Sequence, residues 1–182
     1  METTSLKEFD NVIRLLNEYS EEVKRLYKER LEKDGKRATG ALIDNIETEV
    51  RYNNLSFKVV MSLADYWKYI EDGTRAHWPP RDAILKWIKA KPIIPTPDSR
   101  GKLPTDNQLA FLISRAMAGL SPNQEKLHNP EGGIVAGKQL AKTVEELNAR
   151  YLPLLQEALQ ADFDSYAIYI FKDTVSKLEL FT

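Results

Sequence analysis

The 182-residue chain contains no cysteine and only two histidines, His77 and His128. Without cysteine it can form no disulfide bond, present no thiolate nucleophile and build no cysteine metal site. This composition suits a protein made in a reducing cytosol. Because the two histidines lie far apart with no ligand spacing such as H-x-x-x-H, we expect no metal ion and no cofactor.

The chain also lacks a long apolar run and a strong net charge. No stretch approaches the roughly 18 apolar residues of a membrane span, and the N-terminal sequence METTSLKEFDNVIRLL has no apolar core of the signal-peptide type. We therefore expect no export by such a signal and no membrane partner. The formal net charge of −1 gives no overall attraction to nucleic acid, although folding can still create a local basic surface.

The periodicity of apolar residues predicts an α+β fold in a single domain. Steps of three and four from Leu6 are typical of an amphipathic helix, whereas alternation from Ile46 to Ser62 around Asn53-Asn54 predicts an antiparallel hairpin. The expected elements are a long N-terminal helix over 6–33, a hairpin over 46–62 packed against helices, helices over 81–91 and 105–118, a long helix over 134–160, and C-terminal strands over 165–181.

Local signals define the boundaries of several of these elements. Thr105 followed by Gln108 is a capping-box pattern, and Pro80 suits the first position of a helix. Pro153 predicts a kink in the long C-terminal helix, because proline removes one backbone hydrogen bond. The aromatic and β-branched residues of 166–171 favour a strand after that helix.

Few residues suggest catalysis. The stretch GGIVAGKQ, Gly132 to Gln139, approaches a phosphate-binding loop, but Gln139 stands where a hydroxyl must hold magnesium, and no buried strand precedes it. A flexible segment with permissive glycines is favoured instead. The adjacent Glu71 and Asp72 favour a turn over an acid–base pair. With no G-x-S-x-G element either, the chain is predicted not to be an enzyme.

The segment Ser62 to Pro92 concentrates tryptophan, proline and histidine. Its bases and aromatic residues leave nucleic-acid binding as an alternative, but helical spacing places Trp87 with Ile84 and Ile88 on a buried face. Trp78, in extended chain, is expected to pack on a neighbouring element or on another subunit. The residues expected at a subunit interface or in an architectural role are Gly73, Thr74, His77, Trp78, Pro79, Pro80 and Trp87.

Three stretches resemble a family of phage proteins. ADYWKYIEDGT, from Ala64 to Thr74, resembles the signature of phage neck or tail-completion proteins, also described as minor tail components or head–tail connector proteins. TGALIDNI, from Thr39 to Ile46, is similar to an upstream element of that family. HWPPRDAILKWIKAKPI, followed by LAFLISRAMAGL, resembles a later element found in a subset. Trp67, Asp72 and Asn45 depart from the pattern, and the extra segments are similar in length to those of crAss-like podoviruses.

This resemblance implies a non-enzymatic structural protein of the virion, synthesised in the cytoplasm of the bacterial host. It implies a homo-oligomeric ring, sixfold or twelvefold, in the connector between portal and tail. The implied partners are the portal or an adaptor protein, other neck or tail proteins, and genome DNA that passes through the lumen without sequence specificity. The position within the neck or tail stays open.

Overall fold

A computed structural model describes residues 9–35, 40–53, 56–91, 93–127 and 129–179, with side chains to residue 175. The described residues confirm the α+β class, with long helices near both ends and an antiparallel two-stranded sheet. The elements are α1 (Asp10–Lys33), α2 (Ala41–Asp44), β1 (Glu47–Asn53), β2 (Ser56–Ser62), α3 (Trp67–Glu71), α4 (Arg81–Ala90), α5 (Asp106–Met117), a 3₁₀ turn (Gln124–Lys126) and α6 (Gln139–Glu179).

The chain separates into two compact units. Unit 1 contains α1 as far as Tyr27, the hairpin Glu47–Ser62, and α6 from Ala141 onward. Unit 2 contains the stretches Lys28–Ile46 and Leu63–Leu140, and therefore includes α2 to α5. The single domain expected from the sequence stays a prediction.

The hairpin of unit 1 confirms the strands predicted from alternation. β1 and β2 are antiparallel, with Val50 opposite Val59 and Tyr52 opposite Phe57. The Asn53 side chain accepts a hydrogen bond from the Ser56 amide at 2.9 Å, so this asparagine helps to define the turn. Asn54, the second residue of the predicted turn, lies outside the described residues.

Helices α1 and α6 run antiparallel in unit 1, because contacts made further along α1 fall earlier on α6. The Asp162 carboxylate accepts the amides of Asn11 and Val12 at 3.3 and 3.0 Å, at the start of α1. Tyr19 lies about two turns further on and stacks edge-on against Tyr151, with 5.3 Å between ring centroids. A carboxylate at a helix N-terminus pairs with orphan amides and with the helix dipole, so Asp162 fixes where α1 begins.

Glu22 on α1 also contacts α6, through an ion pair and a hydrogen bond. Its carboxylate forms an ion pair with Arg150 and accepts a hydrogen bond from the Tyr151 hydroxyl at 2.7 Å. The hydrogen bond from Arg150, followed by that from Tyr151, lowers the pKa of Glu22 below its ordinary value of 4.5. The ionised form of Glu22 therefore stabilises the packing of α1 on α6.

The prediction of C-terminal strands over 165–181 is wrong for the described residues. α6 continues to Glu179, since residues 154–179 contain neither proline nor glycine and extending an existing helix is far easier than nucleating one. The strand preference of aromatic and β-branched residues depends on context and is overridden here. Pro153 lies within α6 without ending it, and the kink expected there stays a prediction.

α6 also begins later than expected, at Gln139 rather than near residue 134. Lys138 has a positive φ of 52°, which no helical residue adopts, and Ile134 forms an isolated antiparallel bridge with Thr74. The glycine-rich stretch before α6 is thus irregular chain, held by backbone contacts within unit 2.

One hydrophobic cluster of unit 2 lies between α4 and α5. Ile84 and Ile88 of α4 pack with Ala110 of α5, and partly buried apolar residues surround them. Thr105 and Gln108 form the expected capping box at the start of α5: the Gln108 amide donates to the Thr105 side chain, and the Thr105 amide donates to Gln108 Oε1. The predicted helices over 81–91 and 105–118 are thereby confirmed to within a residue at each end.

Candidate functional site

Two of the predicted interface residues, Gly73 and Thr74, contact the backbone of Ile134 within unit 2. The Thr74 amide donates to the Ile134 carbonyl at 2.9 Å, and the Ile134 amide donates to Thr74 Oγ1 at 3.0 Å. A Cβ at Gly73 would lie 2.4 Å from the Ile134 carbonyl oxygen, closer than real side-chain carbons approach. Only glycine therefore allows this approach, and Thr74 supplies both a backbone and a side-chain partner.

A second contact joins the same two stretches to the end of α5. The Met117 carbonyl accepts hydrogen bonds from the amides of His77 and Gly133, at 3.1 and 2.7 Å. Gly133 has φ of +75°, and a Cβ on it would lie 2.1 Å from the Thr74 carbonyl oxygen. We call these three meeting segments, residues 70–77, 117–119 and 131–140, the glycine junction. The backbone of the segment 132–139 is hydrogen-bonded to residues 70–74 and to the end of α5, and the flexibility expected for it stays a prediction.

Glu71 in the glycine junction caps α6. Its side chain is only 4% exposed, and Oε2 accepts the amide of Leu140, the second residue of α6, at 2.9 Å. The Lys138 amide donates to the Glu71 carbonyl at 3.1 Å, so backbone and side chain of one residue hold the helix start. A phosphate-binding loop uses such amides for its anion; here a carboxylate of the chain itself takes this place.

His77 and Trp78 both lie on the surface of unit 2. His77 Nδ1 lies 2.9 Å from the Arg75 carbonyl oxygen, and its ring is exposed. Trp78 is 50% exposed and packs edge-on against Phe111 of α5, with 5.7 Å between ring centroids. Pro79 is buried, while Pro80 is the N-cap of α4, one position before the helical position expected for it.

The prediction that Trp87 is buried is wrong. Ile84 and Ile88 fill the face of α4 that packs on α5, whereas Trp87 lies beside that face and is 36% exposed. Lys91 Nζ lies 5.8 Å from the centroid of its ring. Helical spacing identified the right face, but the bulky indole is accommodated at the edge of the face rather than in its centre.

A groove of about 1020 Å³ opens on unit 2 beside Trp78. Trp78, Leu103 and Phe111 form its apolar lining, and each is about half exposed. Arg81, at the start of α4, also lines it. The loop between α4 and α5 adds Asp98, Arg100 and Lys102. The groove therefore combines an aromatic surface with a basic edge.

A second unusual surface lies at the far end of α6, residues 164–175, which we call distal α6. Ile168, Tyr169, Ile170 and Phe171 are 56, 62, 43 and 70% exposed. Consecutive helical residues are about 100° apart, so these four large apolar side chains point in all directions around the axis. Val175 adds another exposed apolar side chain.

Comparisons with protein-family models, curated proteins and solved structures found no match for this chain. The resemblance to phage neck proteins therefore stays a proposal, and the function has to be argued from the surfaces themselves.

Neither a cluster of metal ligands nor a membrane-spanning helix occurs among the residues that the structure describes. Among those residues, no group of three or more histidine and acidic side chains is placed to hold a metal ion. His128, one of the two histidines considered as ligands, lies outside them. No helix within the same residues is long and apolar enough to cross a bilayer.

Sequence reasoning missed three features of these surfaces. The role of Glu71 depends on residues 69 positions away, which no local pattern indicates. The partner of Gly73 and Thr74 is Ile134, which lies in the stretch GGIVAGKQ, but this stretch was interpreted as a flexible segment with permissive glycines rather than as a packing partner. The strand-like composition of distal α6 led to the prediction of strands there. The absence of proline and glycine after a strongly helical segment was a signal that the helix continues.

Proposed function

We propose that this chain is a non-enzymatic structural subunit that assembles with copies of itself, as a ring in the head–tail connector of a phage. The observation that carries the proposal is distal α6. A helix that is apolar on all sides is normally buried, and contiguous exposed apolar surface marks an interaction site. Ile168, Tyr169, Ile170 and Phe171 give distal α6 both properties.

The resemblance adds the setting of the phage neck. Among the residues that carry it, Glu71 and Thr74 hydrogen-bond to the chain itself, and Gly73 packs closely against the Ile134 carbonyl. Such a role suits a family defined by its architecture rather than by chemistry. In this proposal the ring lies in the virion between portal and tail, contacts the portal or an adaptor, and surrounds the DNA without reading its sequence.

The mass of the purified chain in solution tests this proposal. We expect an oligomer by light scattering and native mass spectrometry, dissociating to monomer in the variant with Ile168→Gln and Phe171→Gln. Burying a large apolar side chain contributes about 1.5–3 kcal/mol, so the two changes should raise the Kd roughly a hundredfold or more. Far-UV circular dichroism should show unchanged helix content.

A matched control uses the same chemistry on the same helix. Leu152 and Leu154 are also exposed on α6, at 55 and 43%, but lie before distal α6. Leu152→Gln with Leu154→Gln should leave the mass of the assembly unchanged. A wild-type chain that stays monomeric at every concentration, or an oligomer equally sensitive to both double variants, would count against the proposal.

The groove favours a second candidate function, a nucleic-acid-binding adaptor. Single strands bind where aromatic rings for stacking lie beside cations for the phosphates, and Trp78 and Phe111 lie beside Arg81 in this way. Binding to a fluorescent single-stranded DNA should then weaken steeply with salt and be lost in Trp78→Ala. If the chain does not bind single-stranded DNA even at low salt, the nucleic-acid-binding function is excluded.

A further inference from the structure

The groove beside Trp78 has an apolar floor suited to large side chains. Trp78 and Phe111 each expose about half of their surface there, and Leu103 extends the apolar area along the loop. Beneath them, Ser114 Oγ is buried and has no hydrogen-bond partner within the described part of the chain. Apolar surface in a concave site is favourable to cover, because burial removes it from water.

The edge of the groove carries positive charge that is free to attract an anion. Arg81, Arg100 and Lys102 face a single acid, Asp98, among the residues lining the groove. The Asp98 carboxylate accepts the backbone amides of Arg100 and Lys102, both at 2.9 Å. Since Asp98 is engaged in holding its own loop, the groove presents a net basic edge around its apolar floor.

Distal α6 and the turns just before it have the complementary character. Between residues 157 and 175 the acids are Glu157, Asp162, Asp164 and Asp173, against one base, Lys172. Asp162 is buried and bonded to the start of α1. Glu157 and Asp164 are exposed acids on the same helix, whose large apolar side chains are also exposed. A helix with exposed apolar side chains and exposed acids is complementary to a groove that has an apolar floor and a basic edge.

We propose that the groove of unit 2 receives distal α6 of a second copy of this chain. The inference rests on the proposed self-assembly and specifies its two surfaces. Aromatic and aliphatic side chains of the helix cover Trp78, Leu103 and Phe111, while its acids lie against Arg81, Arg100 and Lys102. Because the two surfaces differ, the contact is head-to-tail, as a closed ring or a filament requires.

The absence of cysteine makes the contact directly testable by site-specific cross-linking of the full chain. One variant carries Leu103→Cys in the groove, and another carries Tyr169→Cys in distal α6. After mixing and treatment with a short bismaleimide, we expect a covalent dimer of one copy of each. A mixture of Leu103→Cys with Leu152→Cys, on the same helix before distal α6, is the matched control and should give none.

A charge exchange provides the second readout. Arg100→Glu should raise the Kd of assembly about tenfold or more. Adding Asp164→Lys to the same chain should restore much of the affinity, because the charges of the groove and of the helix are then both reversed and attract each other again. Rescue of this kind is not expected of a variant that merely misfolds. Unchanged helix content in Arg100→Glu will confirm that the variant is folded.

The outcomes separate this inference from the function beneath it. An oligomer that forms without cross-links between positions 103 and 169, and without charge rescue, would overturn the groove assignment and leave self-assembly intact. A chain that is monomeric at all concentrations would overturn both. Single-stranded DNA binding that Arg100→Glu abolishes, with the oligomer unaffected, would overturn the inference and assign the groove to nucleic acid.

Discussion

Gly133 shows how strongly a single position of the glycine junction is constrained. It needs a left-handed backbone, with φ of +75°, and it also needs the space that a side chain would occupy. Its amide bonds to the Met117 carbonyl while its α-carbon faces Thr74 and Arg75. Backbone conformation and close approach are separate requirements. An experiment can separate them, because Gly101 has the left-handed conformation without the close approach.

Gly133→Ala should destabilise unit 2 more than Gly101→Ala. Gly101 has a similar φ of +73°, but no atom lies within 4 Å of a Cβ placed on it. In the control, Gly101→Ala, the free energy of unfolding should fall by about 1–2 kcal/mol, because alanine disfavours the left-handed conformation. In Gly133→Ala it should fall by roughly a further 1–3 kcal/mol from overpacking. Urea unfolding of both variants measures the difference. Equal losses would show that the close approach at Gly133 relaxes without cost.

Glu71→Gln should lower the free energy of unfolding by about 1 kcal/mol. The amide of glutamine can still accept the hydrogen bond from Leu140, but it no longer places a negative charge at the positive end of α6, an interaction of about 0.3–1 kcal/mol at exposed sites and up to about 2 when partly buried. Glu71→Ala should cost more, since the Leu140 amide loses this acceptor.

The neighbouring Asp72 provides the control for Glu71. It is exposed, so Asp72→Asn should change the chemical-unfolding midpoint little. Helix content near the transition should fall earlier in Glu71→Gln than in Asp72→Asn. Identical curves for the two variants would mean that the charge of Glu71 contributes nothing at the start of α6.

At the scale of whole elements, the sequence predicts most of the described helices and the hairpin. Periodicity located α1, α4 and α5 because each helix has a buried face, with a cap at Thr105 for α5, and it located β1 because half-buried and exposed side chains alternate along the strand that pairs with β2. It failed over the described residues from 165 onward, because the exposed apolar side chains of 168–171 lie on all sides of α6 and give no periodic signal. It also failed at Glu71, whose partner is distant in sequence.

The pairing of α1 with α6 should make stability depend on pH through Glu22. Its pKa is lowered in the folded state by Arg150 and Tyr151, so the stabilisation is complete above the ordinary pKa of 4.5 and is lost as pH falls through the lowered value. Below about pH 5, the wild type should therefore lose thermal stability faster than Glu22→Gln, and the two melting temperatures should converge.

Thermal unfolding from neutral to acid pH measures this convergence. Glu18→Gln is the control, because Glu18 forms an exposed ion pair with Arg14 one turn away on α1 and such pairs contribute little. A constant difference between wild type and Glu22→Gln at every pH would contradict a role for the ionised carboxylate.

For the assembly of whole molecules, the positions of the charges matter more than the net charge. The net charge is only −1, and little net charge favours association over repulsion between copies. The basic residues at the groove and the acids of distal α6 belong to different parts of the same chain. A head-to-tail contact between such surfaces leaves one of each free at the ends of every open oligomer, so copies can keep adding unless the two ends meet in a closed ring.

Two complementary variants should therefore form a dimer that cannot grow. The first, with Arg81→Glu and Arg100→Glu, has a disabled groove and an intact distal α6; the second, with Ile168→Gln and Phe171→Gln, has the reverse. Alone, each should be monomeric by native mass spectrometry, because it lacks one of the two surfaces. Mixed, they should give a one-to-one complex, since a single intact groove meets a single intact helix. If distal α6 instead paired with itself across a twofold axis, the first variant would still assemble alone and mixing would produce no such dimer.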